Sequence, residues 1–69
     1  MTNIAYLRER EGLTQRELGE RLGMSQSAIA QCERGSRNPS VPMIKEMMAL
    51  FGVTAGQVIG TEAVDVLGI

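Results

Sequence analysis

Gln26, Ser27, Gln31 and Arg34 fall on one face of a single short segment. An amide donates and accepts hydrogen bonds at once, and a hydroxyl does the same. Such a face can recognise a patterned polar edge. It cannot break a bond by itself. The chain has no His, no cluster of metal-ligating residues and no glycine-rich phosphate loop. A nucleophile set beside a base is also missing. With 69 residues to fold, a large catalytic cleft is hard to build. We therefore expect no enzymatic activity, no cofactor and no bound metal. Met43, Met47 and Met48 read as core or interface filling, and Cys32 as a packed small hydrophobe in preference to a redox switch.

Five short helices are predicted to position that face. The first runs from about Thr2 to Glu11, with Ile4, Leu7, Arg8 and Glu11 on one side and Gly12 as its stop. Thr14 and Glu17 form a capping box that opens the second, in which Leu18 and Leu22 make the buried stripe and Gly23 the end. Ser25 caps the third, which carries the polar face and ends at Gly35. Ser36 to Pro39 is a polar loop. Ser40 starts the fourth helix, with Pro42 in its first turn and Val41, Ile44, Met47, Met48 and Phe51 as its core stripe. Thr54 and Gln57 form a second capping box leading into Val58 and Ile59. We divide the chain into a helical domain, residues 1–60, and an apolar tail, residues 61–69, whose periodicity is mixed between helix and strand.

The composition bounds the rest. One domain is all this length supports. A single cysteine allows no internal disulfide, and no apolar run reaches the roughly 20 residues of a membrane span. The first residues lack a basic-then-apolar signal pattern. A cytoplasmic location without membrane contact is the expectation. The net charge is −1. It is unevenly spread: residues 1–45 hold all seven basic and five acidic residues, and residues 46–69 hold three acidic and no basic ones. Any surface for an anionic partner belongs to the first two thirds.

The two capped segments joined at Gly23 meet the physical description of a helix-turn-helix. Gly19 and Ala28 are small enough to let the two helices cross closely. The run Leu13-Thr14-Gln15, Glu17-Leu18-Gly19, Leu22-Gly23, Ser25-Gln26-Ser27, Ile29, Gln31, Glu33-Arg34-Gly35, Arg37 and Pro39 closely resembles the Cro/repressor (XRE-type) helix-turn-helix family, whose members include the lambdoid phage repressors. The resemblance covers about Ile4 to Ile59. It departs from the family at Gly19, where Ala is usual and a looser second helix is expected. Cys32 stands where Trp or Leu is common, and Leu50 and Phe51 where Ala and Leu are usual, so Leu50 is expected at the surface.

The resemblance implies an all-α, five-helix fold of the lambda-repressor type that binds double-stranded DNA. The third helix would enter the major groove with Gln26, Ser27 and Gln31 reading base edges, since a glutamine amide matches N6 and N7 of adenine. Gln15 resembles the family's clamp on a backbone phosphate, at a helix N-terminus whose free amides suit an anion. Thr14, Arg16 and Ser25, at the starts of the second and third helices, are further candidates for phosphate contact. Ser36, Arg37 and Asn38 lie in the loop that the family sets against the sugar-phosphate strand. For Arg16 and Arg34, pairing along the helix or plain solvation is an equal alternative. Arg8 and Glu33 occupy positions that hold a buried ion pair between the first and third helices of phage repressors.

One recognition helix reads few bases, and two related by a two-fold axis read two half-sites about 34 Å apart. A homodimer is therefore expected, with Leu50, Val58, Ile59, Val64 and Leu67 as its contacts. The alternative is a tail that folds back to complete the core. On function, the leading reading is a sequence-specific repressor on a palindromic operator. The rival is a protein-interaction module, antitoxin-like or regulator-binding, that uses the same fold for an unknown protein partner.

Overall fold

Four hydroxyl side chains set where the helices begin. Thr14, Ser25, Ser40 and Thr54 accept hydrogen bonds from the backbone N–H groups of Glu17, Ala28, Met43 and Gln57. Each takes up an amide that the first helical turn leaves unpaired. At Thr14 and Thr54 the bond is returned by the side chains of Glu17 and Gln57, completing two capping boxes. A computed structural model describes residues 2–62, in the order α1 Ile4–Arg10, α2 Gln15–Leu22, α3 Gln26–Arg34, α4 Val41–Phe51 and α5 Ala55–Ile59. No strand occurs among the described residues, so the fold is all-α.

α1 starts two residues later than its hydrophobic pattern predicts, and Glu11 falls just outside it. Asn3, before the helix, makes no side-chain cap. Its amide reaches across the fold to the Gln57 carbonyl at 2.8 Å, and its backbone N–H bonds the Val58 carbonyl at 3.1 Å. The beginning of the helical domain is thereby fastened to α5. Arg10 reaches the Phe51 carbonyl at 3.3 Å, placing a cation at the carbonyl end of α4.

The core is built of Ile4 and Leu7 from α1, Leu18 from α2, Ile29 and Cys32 from α3, Met43, Met47 and Phe51 from α4, and Val58 from α5. Leu13, Leu22, Met24, Ile44, Met48 and Val53 pack around it. Two expectations are corrected here. Val41 is 64% exposed and leaves the core stripe. α4 is apolar on nearly every side, so its pattern fits more than one rotation; the inward row is Met43, Met47 and Phe51, spaced one turn apart. Val58 is fully buried and is not a surface contact for a second subunit. A five-residue helix has a single inward face, and Val58 occupies it.

Candidate nucleic-acid interface

α2 and α3 are locked together at their turn by a backbone contact. The N–H groups of Gly23 and Met24 both bond the Gly19 carbonyl, the latter at 2.8 Å. Gly23 supplies the left-handed conformation, φ 68°, that reverses the chain. A Cβ on Gly19 would run into the Met24 carbonyl oxygen and sit 3.4 Å from its carbon. Glycine here is thus a close-approach residue. The expected looseness from replacing the family's Ala does not describe this turn.

The turn leaves one face at the start of α3 exposed, at Gln26 and Ser27, while Ala28 and Ile29 turn inward. Gln26 and Ser27 are exposed, and their side chains hydrogen-bond to no described residue. Gln31 lies five residues on, about 7–8 Å along the axis, and is half-buried. Its carbonyl accepts the Ser36 N–H at 3.0 Å and the Ser36 hydroxyl at 3.3 Å, which draws the α3–α4 loop against the end of α3. Arg37 and Asn38 project from that loop, both exposed. Among the described residues, Arg34 and Arg37 have no carboxylate within ion-pair distance, whereas Arg16 pairs with Glu20 at 3.6 Å on an open surface. Thr14 and Ser25 each accept one cap bond through the hydroxyl oxygen, and no described residue accepts from either hydroxyl.

A charged network ties the end of α3 to α1. Arg8 Nε donates to Glu33 Oε2 at 2.6 Å, and its Nη2 to Glu33 Oε1 at 3.2 Å. Its Nη1 bonds the Leu13 carbonyl at 2.8 Å. One guanidinium therefore ties α1 to the α1–α2 loop and to α3. The two side chains are 13% and 8% exposed. Glu33 Oε1 also accepts from Gln15 Nε2 at 3.0 Å, a bond the sequence gives no sign of. Burial pushes the Glu33 carboxyl up; hydrogen bonds from Arg8 and Gln15, with the Arg8 charge, outweigh it and hold the group below the ordinary carboxylate value. The bond to Glu33 likewise raises Arg8, against burial.

Leu50 and Ile59 are each 36% exposed. Val64 and Leu67 lie outside the described residues. Cys32 is buried beside Met43, sulfur to sulfur 3.9 Å, and burial pushes its thiol pKa up. No group of metal-ligating residues that could hold an ion occurs among the described residues, and none of their helices is long and apolar enough to cross a membrane.

Two short capped helices pack through a tight turn, and the second shows its first turns outward: this is a helix-turn-helix, carried on a five-helix scaffold. The chain belongs to the XRE-type helix-turn-helix family, whose sequence model, described as Helix-turn-helix, matches residues 4–58. It is 43% identical over 53 residues to an uncharacterized HTH-type transcriptional regulator of Sinorhizobium fredii, covering 77% of this chain and 69% of that protein. It is 34% identical over 50 residues to another such regulator, from Methanocaldococcus jannaschii, covering 72% and 76%. No solved structure matches it significantly.

Proposed function

We propose that this chain is a sequence-specific regulator of transcription that binds double-stranded DNA through α3, and that it represses by occupying its site as a homodimer. The observation that carries the reading is the open face of α3. Gln26 and Ser27 are exposed at its start, and the Arg8–Glu33 pair fastens its last turn to α1. In a family whose relatives include named HTH-type transcriptional regulators, such a helix suits the major groove. Action by occupancy requires no covalent step. Thr14, Gln15, Arg16 and Ser25 at the helix starts, with Ser36, Arg37 and Asn38, are the proposed phosphate contacts. Their role is to fix the register in which Gln26, Ser27 and Gln31 meet the bases.

Size supports the dimer. The molecule measures 30 Å along its longest axis. Half-sites one helical turn apart are separated by about 34 Å, beyond what one copy can read with one helix. Leu50 and Ile59 are the described apolar residues proposed for the contact. The same two residues favour the rival, a protein-docking module.

Selection of bound sequences from random duplex DNA tests the reading. A pseudo-palindrome is expected, and Gln26→Ala should relax one base per half-site at a cost of about 1–3 kcal/mol. DNA affinity should fall steeply with salt, with a log–log slope of about −0.9 per neutralised phosphate. No enriched sequence, with a partner protein bound at any salt, would favour the rival.

A further inference from the structure

We infer that Glu33, besides closing the ion pair, is a positioning residue that presents the Gln15 amide to a DNA phosphate. The inference rests on the DNA-binding reading above. A terminal amide can be turned end for end at little cost, so an unrestrained glutamine offers a phosphate its oxygen as readily as its nitrogen. Glu33 removes that freedom. A carboxylate only accepts, so the side of Gln15 that faces it must be Nε2, and the bond is made at 3.0 Å. One of the two Nε2 protons is consumed. The other diverges from it within the amide plane, and no described residue accepts it. Gln15 is the first residue of α2, directly after its N-cap, where unpaired backbone amides also point outward.

Arg8 completes the device. A bare carboxylate behind the start of α2 would repel the anion the helix end attracts. The Arg8 guanidinium, bonded to both Glu33 oxygens, cancels that charge locally, while Oε1, which can accept a second bond, also holds Gln15. The pair therefore orients a donor toward phosphate without adding repulsion.

A double-mutant cycle on DNA affinity tests this, using a fluorescein-labelled 24-base-pair duplex of random sequence at low ionic strength, since a phosphate contact carries no base preference. Gln15→Ala should weaken binding about tenfold, the loss of one hydrogen bond to a charged acceptor. Glu33→Gln should cost about as much, because it lets the amide turn, and the double variant should bind no worse than either single one. A lower melting temperature follows from the broken ion pair in either case; a purely structural Glu33 would make the affinity losses multiply to about a hundredfold, and that result overturns the inference. Should Glu33→Gln fail to fold, side-chain amide NMR of the unaltered protein decides. One Gln15 Nε2 proton should be shifted from the free-amide position without DNA, and the other should move when duplex is added. Two free-amide protons, unmoved by duplex, overturn it. If the unaltered protein retains no duplex at all, the DNA reading fails and takes the inference with it; binding with multiplying losses removes the inference alone.

Discussion

Replacing Arg8 by Ala removes a guanidinium that is 13% exposed and leaves behind a Glu33 carboxylate that is 8% exposed. It also orphans the Leu13 carbonyl, bonded by Arg8 at 2.8 Å. Breaking a buried pair from one side costs on the order of 3 kcal/mol, since the surviving charge is desolvated without a partner. For a domain of this size each kcal/mol lowers the melting temperature by about 4–8 °C, so Arg8→Ala should melt roughly 12–24 °C lower. The open Arg16–Glu20 pair, with side chains 78% and 67% exposed, provides the contrast. Glu20→Ala should shift stability by less than about 1 kcal/mol. Circular dichroism melts of both variants, with urea titrations at 25 °C, measure the difference. Arg8→Met combined with Glu33→Leu should recover much of the loss, because an apolar pair of similar volume carries no desolvation cost. The reasoning fails if Arg8→Ala melts within about 4 °C of the unaltered protein, or if the double variant is worse than the single one.

Acid should unfold the domain through its carboxylates. Glu33 is held below its ordinary value of 4.5 by the Arg8 and Gln15 bonds, and Glu17 by its bonds to the Thr14 backbone and hydroxyl. The unfolded chain then takes up protons before the folded one does, so their stabilisation is complete above about pH 4.5 and is lost as pH falls through the lowered folded values; a urea midpoint that stays flat from pH 6 to pH 3 would contradict this. Cys32, fully buried with its thiol pushed up, should react with a thiol reagent only as fast as the fold opens, and destabilising variants should speed labelling in proportion. Rapid labelling of the native protein would show an accessible thiol instead. Gly19→Ala should destabilise by about 1–2 kcal/mol in a thermal melt, because overpacking against the Met24 carbonyl outweighs the roughly 1 kcal/mol of helix propensity gained. A higher melting temperature in that variant would mean that the turn opens without strain.

The features legible in the sequence are those that a few neighbouring residues decide. Each capping box needs only two side chains three residues apart, so Thr14 with Glu17 and Thr54 with Gln57 could be read directly, and the glycines that end α2, α3, α4 and α5 follow from the same local chemistry. The rotation of α4 is decided elsewhere. Val41, Ile44 and Met48 are as apolar as Met43 and Met47, and only the packing of the other helices against α4 selects which row turns inward. Val58 is the same problem in five residues: an apolar side chain near the tail looks like a partner contact until Asn3, 55 positions earlier, is seen to bond its carbonyl and close the core around it. Gly19 shows how a local rule can point the wrong way. Helix propensity ranks glycine below alanine, yet the deciding neighbour is a backbone carbonyl across the turn, to which propensity is blind. At the candidate interface the exposed glutamines of α3 follow from periodicity, because an outward face is whatever the core does not claim. The bond between Gln15 and Glu33 spans 18 residues and joins two polar side chains with no hydrophobic pattern to announce them. Polar contacts of that kind leave no periodic trace, and here one of them stands between the core and the surface proposed for DNA.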